Sequence, residues 1–161
     1  MRITALTINN LRNLEQVQLA LEPGTNVFHG PNGAGKTTVI ESLLILAKGS
    51  SFRSGSMSSL IGPHADHFLV RAQILDDANR KHGIALQRSR SDWEGRIDGM
   101  PLQQISDTAQ FFPMILMEPT THELICGPPE GRRRFLDWTV FHVKHEFLLL
   151  WRRYARALKQ R

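Results

Sequence analysis

The chain is short of several things that fix chemistry early. It has one cysteine in 161 residues, Cys126, so no internal disulfide forms. A lone cysteine in this setting reads as a small apolar filler, not a catalytic thiol. Its longest apolar stretches fall far short of the roughly 20 residues that cross a bilayer. Met1-Arg2-Ile3-Thr4 runs straight into an alternating strand pattern, which leaves no secretory leader. Repeats, low-complexity tracts and a recognisable linker are also missing. Neither a zinc-finger nor a recognition-helix pattern occurs, so base-specific reading of DNA is not indicated. What remains is an ordinary globular composition, 41% hydrophobic, of a length that suits one domain with a real core.

Against that background one motif stands out. Gly30-Pro31-Asn32-Gly33-Ala34-Gly35-Lys36-Thr37 has the form G-x-x-x-x-G-K-T. Its glycines let consecutive backbone N–H groups converge on one anion. The helix that starts near Gly35 adds the positive end of its dipole. In such a loop Lys36 reaches the β- and γ-phosphates, and the Thr37 hydroxyl takes a place on Mg²⁺. Val27-Phe28-His29 is a short β-prone run before the loop. Residues 38–48 follow it as a nearly all-round apolar helix stopped by Gly49. The motif therefore predicts nucleotide binding; a glycine-rich turn without ligand is the alternative. With a nucleotide site, a single cysteine points to a reducing cytosol.

Phosphate binding alone does not make an ATPase. Hydrolysis needs an acid to organise Mg²⁺ and a group to place water. No run of four apolar residues ending in Asp follows the P-loop; Met114-Ile115-Leu116-Met117-Glu118 comes nearest. Glu118 is a candidate metal acid, yet Pro119 fits a strand exit equally well. An S-G-G-Q-type motif is also missing. His64, Asp66 and His67, and separately His142 and His145, each lack further ligands in view, so surface or core-edge roles suit them better than a metal.

Alternation over residues 2–8 and 17–21 predicts two strands joined by a turn at Asn9–Asn13, with a second turn at Glu22–Thr25. Further strands are expected at Phe68–Leu75, Ile84–Arg88 and 96–98, with Asp98-Gly99 as a tight turn. Phe111–Met117 is apolar and β-compatible. Thr120-Thr121-His122-Glu123 has the form of a capping box, with Thr120 as N-cap of a short helix closed by Gly127. Two helices are expected at about 130–142 and 144–161. In the second, Phe147, Leu150, Trp151, Tyr154 and Leu158 share one face, and Arg152, Arg153, Arg156, Lys159 and Arg161 lie largely off it. That amphipathic stripe runs to the last residue without a stop signal, the pattern expected of a fragment.

The net charge of +5 is unevenly spread. Residues 129–161 carry nine Lys/Arg and three Asp/Glu, a net +6, while the remainder is −1. A polyanion partner, nucleic acid first, or a solvated helix face in an ion-pair network would each account for it. Arg132, Arg133 and Arg134 cover most of a helix turn, so at least one must meet other protein or a ligand. Contact with DNA phosphates or a partner competes with pairing to Glu130 and Asp137.

Four segments carry a resemblance to a known family. They are Ile8-Asn9-Asn10-Leu11-Arg12-Asn13-Leu14, the P-loop with its Gly-Pro-Asn-Gly start, Ser50-Ser51-Phe52-Arg53-Ser54, and the long run from Gly127 through Arg132-Arg133-Arg134-Phe135-Leu136-Asp137-Trp138 to Val143. The Trp151–Arg161 ending continues the match. In this order they resemble the bacterial RecF family, DNA replication and repair ATPases of the SMC-like ABC class, along the whole chain. The resemblance implies an α/β P-loop NTPase fold of ABC/SMC type with an antiparallel β subdomain and C-terminal helices. It places a P-loop lobe at 1–128 and the start of a helical region at 129–161.

The resemblance also implies a cytoplasmic protein without membrane attachment that binds ATP with Mg²⁺. Such proteins dimerise around ATP, hydrolyse it slowly and bind double-stranded DNA near single-strand junctions. With RecR and RecO they help load recombinase at gaps, and they are linked to the SOS response. The nucleotide-binding set it implies is Gly30, Pro31, Asn32, Gly33, Ala34, Gly35, Lys36, Thr37 and Thr38, with Thr38 near the α-phosphate. Arg12 joins that set, with packing of the turn as its alternative role. Arg132, Arg133, Arg134, Arg152, Arg153 and Arg156 are the candidate DNA or partner contacts. Leu11 stands where the family has an aromatic, Thr139 where glycine is expected, and no glutamine near Met117-Glu118 fills the Q-loop role. Family members continue beyond position 161 into a helical arm, the serine-rich motif and the Walker B acids, so no turnover is expected of this chain by itself. The rival readings are another ABC ATPase, such as a transporter subunit, and a DNA- or partner-docking module whose P-loop is silent.

Overall fold

The computed structural model describes residues 1–53, 56–144 and 146–160. Ser54, His145 and Arg161, named above, lie outside the described residues, as do the side chains of Thr120, Glu123, His142 and Lys159. The chain divides into two compact units, Met1–Met114 and Ile115–Arg161.

The first unit is built on a sheet of six strands: β1 (Arg2–Leu11), β2 (Leu14–Ala20), β3 (His67–Leu75), β4 (Lys81–Ser89), β5 (Trp93–Ile97) and β6 (Met100–Pro101). Their order is β2-β1-β3-β4-β5-β6, and every neighbouring pair is antiparallel. Side-chain alternation sets which face is buried. Leu6 and Ile8 of β1, Phe68, Val70, Ala72 and Ile74 of β3, and Ile84 and Leu86 of β4 all point to one face and are buried. That face packs on helix α1 (Lys36–Lys48), which contributes Val39, Ile45, Leu46 and Ala47 to the same cluster. The opposite face carries Gln16, Gln18, Arg71 and Gln87, as expected of a sheet covered on one side. Helix α2 (Ser106–Phe111) lies against the end of α1, where the Thr108 hydroxyl reaches the Ala47 carbonyl at 3.5 Å.

Most expected strands are present, and the ladders extend them. The first turn shrinks to Arg12-Asn13 because the β1–β2 pairing continues to Leu11↔Leu14. Two expected strands are not found. Val27–His29 has no regular structure and Val27 is 77% exposed. In the Phe111–Met117 run, Phe111 closes α2 and residues 113–117 are irregular. A strand needs a neighbour for its backbone N–H and C=O groups, and among the described residues no segment pairs with either run.

The second unit is helical: a 3₁₀ turn at Pro119–His122, then α3 (Glu123–Cys126), α4 (Pro129–Val143) and α5 (Phe147–Lys159). The backbone of Thr120 lies inside that 3₁₀ turn. The Thr121 hydroxyl accepts the Glu118 amide at 2.9 Å. Cys126 is exposed, contrary to its expected role as an apolar filler. A single-turn helix shields little, and among the described residues every buried apolar side chain belongs to the first unit. No described helix is long and apolar enough to cross a membrane.

Candidate functional site

The P-loop, residues 30–35, leads into the amino end of α1. Gly33 and Gly35 have φ of 82° and 91°, a left-handed conformation that residues with a Cβ rarely adopt. Gly35 is also hemmed in by its neighbour, since a Cβ there would lie 2.4 Å from Leu14 Cδ2. The first bond closing the helix runs from the Val39 amide to the Gly35 carbonyl at 3.0 Å. The amides of Lys36, Thr37 and Thr38 therefore have no acceptor within the helix. They are available to an anion.

A cleft of about 490 Å³ opens over this helix end. Its lining comes from three segments of one unit: Arg12 and Asn13 from the β1–β2 turn, Asn32, Gly33, Gly35, Lys36, Thr37 and Thr38 from loop and helix, and Arg53 from the stretch after α1. Among the described residues three cations and no carboxylate line it. Lys36 Nζ folds back over the loop and donates to the Gly30 and Pro31 carbonyls at 2.9 and 2.8 Å. Asn13 fixes the loop from the side: its amide donates to the Gly33 carbonyl at 2.7 Å and its carbonyl oxygen accepts from Thr38 at 3.3 Å.

Beneath the cleft lies a charge that spacing did not single out. Glu41 of α1 is fully buried. Arg12 meets it side-on, Nε to Oε2 at 2.6 Å and Nη2 to Oε1 at 2.9 Å. The Ser51 hydroxyl also donates to it, and in turn accepts the Arg53 amide at 2.9 Å. Burial works against ionisation of Glu41. The hydrogen bonds from Arg12 and Ser51, with the charges of Arg12 and Arg53, outweigh it and hold the carboxyl below its ordinary range. The same pairing raises Arg12 above its usual value, its hydrogen bond to Glu41 exceeding the opposing effect of partial burial. Arg12 has φ of 53°, and its amide bonds to the Leu60 carbonyl at 2.7 Å.

The cleft fits a triphosphate: free helix amides, three cations and a glycine cradle meet at one place. For Mg²⁺ it offers the Thr37 hydroxyl, which suits an ion that takes most of its ligands from phosphate oxygens and water. Every residue expected to hold nucleotide lies in the loop or in this lining, Arg12 included. Glu118, exposed, belongs to the other unit. His64, Asp66 and His67 are exposed, and no group of three or more His, Cys, Asp or Glu among the described residues is placed to hold a metal.

The basic candidates lie on α4 and α5. Arg132 caps α3, donating to the carbonyls of Leu124, Ile125 and Gly127 at 3.4, 3.3 and 2.9 Å. That ties α3 to α4 within the second unit. Arg134 pairs with Glu130 at 3.1 Å. Arg133, Arg153 and Arg156 are exposed, and Arg152 is half-buried.

Sheet, P-loop and helix together define the class: a P-loop NTPase fold of ABC/SMC type with an antiparallel β subdomain and C-terminal helices. Residues 5–94 match the AAA domain family. The DNA replication and repair protein RecF of Stenotrophomonas maltophilia is 41% identical over 100% of this chain and 45% of its own length. That of Edwardsiella ictaluri is 38% identical with the same coverage. The chain belongs to the RecF family, and it spans about half the length of the curated relatives it matches. In fold it is similar to a solved structure of the recombination mediator protein RecF with ATP in the RecFOR pathway. There the TM-score is 0.89 at 23% identity over 98% of this chain and 43% of that one. The SMC head domain from Thermotoga maritima is a more distant likeness, with a TM-score of 0.54 at 17% identity over 66% of this chain and 40% of that one.

Proposed function

We propose that this chain is the ATP-binding portion of a DNA replication and repair protein whose hold on DNA is governed by nucleotide. The observation that carries the reading is the cleft, where three cations and unspent helix amides converge and no carboxylate among the described residues competes. ATP is the nucleotide, because the RecF structure of similar fold was solved with it. Mg²⁺ joins through Thr37. The intact protein works in the cytosol, pairs with a second copy around ATP, and acts on double-stranded DNA at single-strand junctions. With RecR and RecO it helps load recombinase at gaps, and it is linked to the SOS response. The exposed arginines of α4 and α5 contact DNA phosphates, so binding is governed by salt and indifferent to sequence. This chain by itself binds nucleotide without turnover; steady ATP hydrolysis above background by the pure protein would contradict that.

The DNA arm of the reading is tested with a labelled duplex titrated at several salt concentrations. Arg153→Gln with Arg156→Gln is expected to weaken binding and to make the slope of log K against log salt shallower by roughly 2, about one unit per lost phosphate contact. An unchanged slope removes α5 from the interface. DNA affinity indifferent both to ATP and to Lys36→Ala would instead mean a docking module with a silent P-loop.

A further inference from the structure

α1 is buried almost all round, and Glu41 is the one ionised group fully enclosed in it. A carboxylate is kept in such a place only when it is paired and hydrogen-bonded. Its partners belong to two segments that each bring an arginine to the cleft. One is the β1–β2 turn, through Arg12. The other is the stretch after α1, through Ser51 and the Arg53 amide. A guanidinium has five N–H donors in a rigid plane. The side-on pairing occupies the Nε hydrogen and one on Nη2, leaving one on Nη2 and both on Nη1. Arg12 lines the cleft beside Lys36 and Thr37, so its unspent donors serve a ligand there. Its left-handed backbone restricts how it leaves the turn, and the carboxylate restricts where the plane of the head lies.

We infer that Glu41 is a positioning residue for nucleotide: it never touches the ligand, but clamps the Arg12 guanidinium edge-on so that the remaining donors meet a phosphate oxygen in the P-loop cleft. This rests on the ATP-binding reading above. A lysine at position 12 would keep the charge, but as a point donor it has no plane to be held. That difference separates a clamp from a merely structural carboxylate.

The test is a cycle of Glu41→Gln and Arg12→Lys, read as the affinity of a fluorescent ATP analogue with Mg²⁺, with the unfolding midpoint of each protein measured alongside. Glu41→Gln is nearly isosteric and keeps an acceptor for Ser51. Expected is a 5- to 10-fold loss of affinity for Glu41→Gln alone, a similar loss for Arg12→Lys, and less than a 2-fold further loss when Glu41→Gln is added to Arg12→Lys. Equal losses in both backgrounds would overturn the inference, since Glu41 would then act on the site without Arg12. A gain in affinity for Glu41→Gln would overturn it too, because the carboxylate would then compete with phosphate for Arg12. Should Glu41→Gln fail to fold, Arg12→Lys alone decides: unchanged affinity rejects the clamp. Absence of analogue binding by the unaltered chain, or binding indifferent to Lys36→Ala, would reject the ATP reading itself and is separable from these results.

Discussion

Arg12→Ala is expected to destabilise the first unit by about 3–4 kcal/mol at neutral pH, because it leaves a fully buried carboxylate without its cation. Ser51 remains as a partner but is neutral. The pH dependence identifies the cause. In the unaltered chain the Glu41 carboxyl lies below its unfolded value. The stability it contributes is fully present above the ordinary carboxylate range, about pH 4.3, and is lost as pH falls through the depressed folded value. In Arg12→Ala burial of Glu41 is opposed by the Ser51 hydrogen bond and the Arg53 charge alone, so the carboxyl rises and protonation becomes easier in the folded state. The penalty of the substitution is then largest at neutral pH and shrinks as the solution is acidified. Adding Glu41→Gln to Arg12→Ala should recover much of the loss, since an amide needs no counter-charge. Urea unfolding of the unaltered chain, Arg12→Ala, Glu41→Gln and the double variant at pH 7 and pH 4.5 measures all of this. A loss that is independent of pH and not relieved by Glu41→Gln would mean that the turn, not the ion pair, carries the stability.

Gly35→Ala is expected to cost about 2–5 kcal/mol and to abolish the phosphate cradle. The left-handed φ of 91° contributes roughly 1–2 kcal/mol once a Cβ is present. The overlap with Leu14 contributes another 1–3 kcal/mol. Leu14 is itself in the core cluster, so its methyl has little room to retreat. Moving Gly35 outward instead would turn the first helix amides away from the cleft. The measurements are the unfolding midpoint and nucleotide affinity of one preparation, and both should fall. Gly33→Ala is the control: it shares the positive φ but meets nothing within 4 Å, so it should cost only the backbone share. Equal losses at the two positions would show that the Leu14 contact is unimportant.

Residues whose neighbours are local were legible in the sequence. The P-loop, the helix after it, its Gly49 stop and the strands of the antiparallel sheet all follow from short-range pattern, because hairpins and glycine turns announce themselves locally. Val27–His29 and Phe111–Met117 were misread for one reason. Their β-prone composition states a preference, and a ladder partner decides whether it is met. Glu41 shows the opposite failure. A glutamate in the middle of an otherwise apolar helix is itself a signal that a buried cation is needed, but its partner is 29 residues away in sequence, and nothing in spacing points there. Asn13 was read only as part of a turn. Its two bonds to the P-loop and Thr38 depend on β1 and α1 packing side by side. Cys126 was judged by residue type, whereas its burial depends on how much protein surrounds a single-turn helix.

The most direct test of the account is titration of ATP with Mg²⁺ into this chain and into its Lys36→Ala variant, followed by calorimetry. Expected is saturable one-to-one binding by the unaltered chain and a loss of about 30-fold or more for the variant, the scale of a charge-assisted contact to phosphate of about 2 kcal/mol or more. Unfolding midpoints should stay close, because among the described residues Lys36 bonds only to the Gly30 and Pro31 carbonyls of its own loop. Equal affinity in the two proteins, or no heat of binding in either while both remain folded, would contradict the claim that this cleft is a nucleotide site.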